Sequence, residues 1–122
     1  MTGTYFVGLD VGTQTSKAVV LDESGDAVAN GRAATPWTAT PTGAELDAVA
    51  LLHAATSAVR QALDGCPPGV VAGLGVASLA ESGILLDRAG MPLAPAIAWH
   101  DTRDHAELDS LRNTVGAQRF SS

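Results

Sequence analysis

The sequence predicts an α/β domain built on a mixed sheet and flanked by helices. Three observations carry that expectation. Three short apolar runs open the chain, joined by turns too brief for a crossover, so they form an antiparallel meander. A long segment follows with apolar residues at steps of three and four, the period of a helix. After it comes another apolar run, and adding that strand to the meander makes the sheet mixed.

In chain order, Tyr5-Phe6-Val7-Gly8-Leu9-Asp10 is a short buried strand ending in an acid, and Val11-Gly12-Thr13-Gln14 is a turn. Lys17-Ala18-Val19-Val20-Leu21-Asp22 is the second strand, followed by the polar turn Glu23-Ser24-Gly25-Asp26. A third strand runs from Ala27 to about Thr35, and the two prolines between 36 and 43 mark a loop. Thr42 and Glu45 have the spacing of a capping box. Val49, Leu52, Thr56, Val59 and Leu63 then form the apolar stripe of one amphipathic helix, stopped at Asp64-Gly65 and Pro67-Pro68. Residues 70–77 read as a buried strand. Residues 84–87 and 95–99 read as the two arms of a hairpin around Arg88-Ala89-Gly90. A polar helix starts at Asp101 or Thr102 and ends near Val115, before Gly116. No internal repeat of solenoid length is present.

Composition narrows the function classes. The chain has 122 residues, 46% hydrophobic and 16% charged, which suits one modest domain. Acidic residues outnumber basic ones 13 to 7, and a net charge of −6 argues against a nucleic-acid surface. Cys66 is the single cysteine, so an internal disulfide is excluded and a reducing compartment fits. The start carries no basic segment ahead of its apolar run, and no run approaches the roughly 18 apolar residues of a membrane helix. A cytoplasmic location without a membrane partner is the expectation.

The sharpest chemical signal is Asp10-Val11-Gly12-Thr13-Gln14-Thr15-Ser16-Lys17. A glycine in a strand–strand turn lets backbone amides approach an anion closely. Thr13, Gln14, Thr15 and Ser16 add side-chain donors, and Lys17 adds positive charge. Asp10, at the strand end, is placed to hold Mg²⁺ through water, because that ion prefers oxygen ligands and keeps part of its hydration shell. Together these residues describe a phosphate cradle with a metal anchor. The same octapeptide also reads as a plain hairpin turn, where Asp and Gly are common. It is not a P-loop, lacking both the Gly-x-x-x-x-Gly-Lys spacing and the following helix.

Glu81, Trp99, Asp101 and Arg103 form a second set. A carboxylate at Glu81 can accept hydrogen bonds from a polyol, and the Trp99 ring offers a face to the C–H surface of a sugar. Asp101 and Arg103 can bind hydroxyls or organise a cleft. Each also has a structural reading: Asp101 as an N-cap, Trp99 as core, Glu81 as a solvated loop acid, and Arg103 as a surface partner of Asp104 or Glu107. His53 falls on the polar side of the first helix. His100 and His105 lack the spacing of a zinc site, and Cys66 has no evident activating partner.

Three stretches, residues 8–19, residues 85–97 and Trp99-His100-Asp101-Thr102-Arg103, together resemble the amino-terminal part of the FGGY carbohydrate kinases. The first stretch is shared loosely across the actin-like ATPase superfamily; the other two are more specific. The resemblance covers nearly the whole chain. It implies a ribonuclease-H-like domain that binds ATP and Mg²⁺, with a partner domain closing over a sugar or polyol held between them. By position Asp10 resembles the Mg²⁺-associated acid, and Gly12, Thr13, Gln14, Thr15 and Lys17 fall in the phosphate-binding turn. Glu81 falls where glycerol kinases place a substrate-binding glutamate, and Trp99, Asp101 and Arg103 match a Trp-x-Asp-x-Arg pattern. Ala80 stands where glycerol kinases carry arginine, and Leu79-Ala80-Glu81 stands where xylulokinases carry Gln-Met-His. Neither substrate is supported by its own motif.

The resemblance also implies that the general-base aspartate, the second phosphate motif and the adenosine pocket lie downstream. Residues 1–122 are therefore expected to be the amino-terminal portion of the first domain, an incomplete domain without the carboxy-terminal kinase domain and inactive alone. An uncovered apolar sheet edge or face is expected, with homo-oligomer formation as one way to hide it. The competing functional class is a non-catalytic nucleotide- or sugar-binding module that reuses the fold. An activator of a radical enzyme is disfavoured, since one cysteine does not supply an iron–sulfur cluster.

Overall fold

The computed structural model describes residues 2–80, 82–116 and 119. The opening meander is as expected: β1 (Gly3–Val11), β2 (Thr15–Leu21) and β3 (Ala27–Ala34) pair antiparallel in sequence order. β6 (Gly69–Ser78) joins the other side of β1 in parallel, giving a mixed sheet of order β3-β2-β1-β6. Two further strands lie before the long helix, β4 (Trp37–Ala39) and β5 (Ala44–Leu46), and with β7 (Ala96–Ile97) they make a second, three-stranded sheet.

α1 (Ala48–Asp64) lies against β2 and β3. On β1 and β2 alternate residues face it, so Tyr5, Val7, Ala18 and Val20 are buried with Ala58 and Ala62 in one core. The buried helix face differs from the expected stripe. Ala55, Ala58 and Ala62 point inward, whereas Leu52 is 60% exposed and Val49 and Leu63 are also exposed. Close approach explains the difference. A Cβ on Gly31 of β3 would run into the Ala58 carbonyl oxygen and sit 2.7 Å from the Ala62 amide nitrogen. Helix backbone rests on strand backbone there, and only small side chains fit between. Val59 still packs on the core's margin.

Four other expectations are corrected. The cap of α1 is Asp47, whose carboxylate accepts from the Ala50 amide at 2.7 Å; Thr42 and Glu45 are not a capping box, because Glu45 is paired in β5. The stop at Gly65 holds, with its amide bonded back to the Gln61 carbonyl. The strand expected to be buried, β6, is exposed along almost its whole length, since α1 does not reach over it. The hairpin between residues 84–87 and 95–99 does not form. Leu86 instead bridges Pro92, closed by Asp87 accepting from the Ala89 and Met91 amides, while Ala96–Ile97 pairs with β5. The last helix, α2 (His105–Val115), begins later than Asp101, because the Thr102 amide and hydroxyl are bonded to the Thr42 carbonyl in the turn between β4 and β5; it ends as expected at Gly116, at φ 83°. No helix among the described residues is long and apolar enough to cross a membrane.

Candidate functional site

The turn between β1 and β2 stands at the open end of the main sheet. The Gly12 amide donates to the Thr15 carbonyl at 3.2 Å and closes it. A side chain at Gly12 would put Cβ 2.8 Å from that same oxygen, so the position requires glycine. Three consecutive carbonyls of the turn then accept bonds from the segment after β3. Thr35 Oγ1 donates to Gly12 O at 2.7 Å, Trp37 Nε1 to Thr13 O at 2.6 Å, and the Thr35 amide to Gln14 O at 3.0 Å. In a planar trans peptide the N–H points opposite to the C=O. The amides of Thr13 and Gln14 therefore face away from residues 35–37. They donate to no described residue, and both residues are exposed.

Asp10 and Lys17 sit directly opposite each other on β1 and β2. Their neighbours Leu9 and Ala18 belong to the core side, so both project from the sheet face opposite α1. That face holds an open concavity of about 800 Å³, floored by Gly8, Gly75 and Ala77 and edged by Asp10, Lys17 and Arg32. Ser16 departs from its expected part in the cradle. Its side chain turns into the core, is fully buried, and its Oγ has no hydrogen-bond partner among the described residues. Sequence reasoning missed Thr35 and Trp37; their bonds reach across more than twenty residues, and no local pattern announces them.

The structure brings Asp101 and Arg103 together and leaves Trp99 apart from them. The Arg103 guanidinium grips both Asp101 oxygens at 2.9 Å, and its remaining arm reaches Glu45 at 2.6 Å. The Arg103 amide also donates to Asp101 Oδ1 at 3.0 Å. The Asp101 side chain has no exposed surface, while Glu45 and Arg103 are about one-third exposed. The Arg103 side-chain bonds hold the Asp101 carboxyl well below the usual carboxylate range, against the opposing effect of burial. Asp101, then Glu45, push the guanidinium further up. Gly43 lies so close to Asp101 that a Cβ there would meet its backbone at 2.7 Å. The readings of Asp101 as an N-cap, Trp99 as core and Arg103 as a partner of Asp104 or Glu107 all fall away. Trp99 is 61% exposed, its ring edge-on to His100 at 5.3 Å. Glu81 lies outside the described residues. Among the described residues no group of three or more His, Cys, Asp or Glu side chains could hold a metal ion.

Comparisons with known proteins agree with this architecture. The chain is 26% identical to a xylulose kinase of Staphylococcus xylosus over 92% of its own length and 23% of that protein. It is 36% identical to a glycerol kinase of Paracidovorax citrulli, over 89% of this chain and 22% of the relative. The crystal structure of a gluconate kinase from Lactobacillus acidophilus superposes with a TM-score of 0.83 at 26% identity, covering 97% of this chain and 24% of that one. The chain thus spans about a quarter of the length of the relatives it matches. The sequence profile of the FGGY family of carbohydrate kinases, N-terminal domain, matches residues 5–122, and the chain belongs to that family.

Proposed function

We propose that this chain supplies the phosphate-binding wall of an ATP-dependent kinase that phosphorylates a sugar or polyol hydroxyl. The observation that carries the reading is the β1–β2 turn, whose exposed Thr13 and Gln14 have amides bonded to no described residue, beside an exposed Asp10. Unbonded amides at a concave turn are a site for phosphate oxygens, with Gly12 allowing close approach and Thr15 and Lys17 adjoining. A single exposed carboxylate suits Mg²⁺, which retains several waters and takes one or two protein ligands. Asp10 would hold the ion, and the ion would neutralise charge on the phosphates during transfer. Lys17, from the same sheet face, would add positive charge.

Trp99 is the strongest sugar contact in this reading, since its ring is already exposed. Asp101 and Arg103 serve the sugar side indirectly, because their polar atoms are largely consumed by each other and by Glu45. Glu81 is retained as a polyol ligand on its position in the family pattern. The family relatives include enzymes named for xylulose and glycerol, and the sugar class handled here is left to experiment. The 122-residue chain alone is proposed to be inactive, since phosphoryl transfer needs a general base and an opposing wall.

The test is sugar-dependent ADP release over pentoses, polyols and aldonates, run on the natural protein carrying this sequence and on the 122-residue chain. Turnover by the natural protein with one substrate class, and none by the chain, is expected. MgATP binding without turnover on any substrate would favour a non-catalytic binding module instead. Absence of MgATP binding to the natural protein would sink the kinase reading and leave only a sugar-binding module.

A further inference from the structure

We infer that Thr35 and Trp37 are positioning residues that fix the β1–β2 turn in its anion-accepting form; this rests on the kinase reading above. The central peptide of the turn Gly12-Thr13-Gln14-Thr15 joins the Thr13 carbonyl to the Gln14 amide. In an unrestrained turn this peptide rotates by about half a revolution between the common turn types, presenting either its N–H or its C=O to a given side. An oxyanion is attracted by one orientation and repelled by the other. Trp37 Nε1 holds the Thr13 oxygen at 2.6 Å, which selects the orientation with the Gln14 N–H outward.

Thr35 does the same for the flanking peptides. Its hydroxyl holds Gly12 O at 2.7 Å and its amide holds Gln14 O at 3.0 Å. Three successive peptide planes are thereby set from one side by two residues. Thr35 is itself buried, which shields its donors, while Trp37 is half-buried and its bond to Thr13 O stays open to solvent. Neither touches the space in front of the outward amides. Their contribution is preorganisation: the amides need not reorient when phosphate arrives.

The experiment compares the natural protein carrying this sequence with its Trp37→Phe, Thr35→Val and Thr35→Ser variants by ¹⁵N relaxation, without ligand and then under titration with MgATP. The wild-type Thr13 and Gln14 amides are expected to be as ordered as β1, with order parameters of about 0.85. Trp37→Phe should drop Gln14, and Thr35→Val should drop Thr13, below about 0.6, and both should leave Val7 and Val20, in the core, unchanged. MgATP affinity should fall about tenfold in both, and Thr35→Ser should restore it. Unchanged Gln14 order in Trp37→Phe, or unchanged Thr13 order in Thr35→Val, overturns the positioning role of that residue. Loosened variants, together with a wild type whose Thr13 and Gln14 resonances ignore MgATP, overturn the nucleotide reading and its ligand by a separate signal.

Discussion

The two sheets of this molecule balance apolar contact and charge differently. The main sheet is held under α1 by apolar contact at close range, through alanines on the helix and Gly31 on the strand. The second sheet, β4-β5-β7, spans only a few residues per strand and is tied by charge: Arg103 joins Asp101 to Glu45 of β5. The lesson is one of scale. A long sheet with a helix across it gathers enough buried surface to need no ions. A sheet of two- and three-residue strands buries only Leu46 and Ala96, with Ala98 just after it, and a bidentate arginine adds to the hold.

The largest effect should come from breaking the apolar contact. Gly31→Val places branched carbons against the Ala58 carbonyl and should destabilise the chain by about 3 kcal/mol, read from the denaturant midpoint. Arg103→Met should come next, leaving the buried Asp101 carboxylate without its cation. A lower thermal midpoint is expected, with amide shifts centred on residues 42–45 and 96–103 and little change at Val20. Acid separates the two regions without mutation. Because Asp101 is depressed in the folded chain, the unfolded chain takes up its proton first as pH falls. The ion network's contribution is complete above the ordinary carboxylate pKa and drains away below it, down to the depressed value. Arg103→Met should remove that acid sensitivity, and a titration of stability against pH in both proteins checks the sign.

Smaller changes sharpen the picture of the main sheet. Ser16→Ala removes a buried hydroxyl that has no partner among the described residues, and should leave stability unchanged or raise it by about 1 kcal/mol in urea unfolding. Leu74→Lys on β6 should move stability by less than about 0.5 kcal/mol, since Leu74 is 56% exposed. The same variant should reduce self-association in light scattering, because Val70, Val71, Leu74 and Val76 are all exposed on this strand. A monomeric wild type with no such response would show that β6 is not a self-association surface.

Local features of the sequence were legible where local chemistry decides them. The short apolar runs and the brief Gly-containing turns specify the meander, and the glycine turn marks the candidate phosphate site. Periodicity found α1 but chose the wrong face, because hydrophobicity favours Leu52 and Leu63 whereas the fit against Gly31 demands Ala58 and Ala62. β5 was hidden beneath a plausible capping box, and its pairing to Ile97 joins residues far apart in the chain. The same distance concealed Thr35 and Trp37 behind the turn, and Glu45 behind Arg103. Burial of β6 could not be inferred from its composition, which is that of a core strand although nothing in the described residues covers it.

The parallel pairing of β1 with β6 has a kinetic consequence. β1, β2, β3 and α1 are near neighbours along the polypeptide, so they are expected to assemble early and at little entropic cost. β6 has to find β1 across the whole of that intervening stretch, the slow kind of closure. For a nascent chain leaving the ribosome, the β1–β2 turn would then be shaped while one flank of its first strand was still waiting for its neighbour.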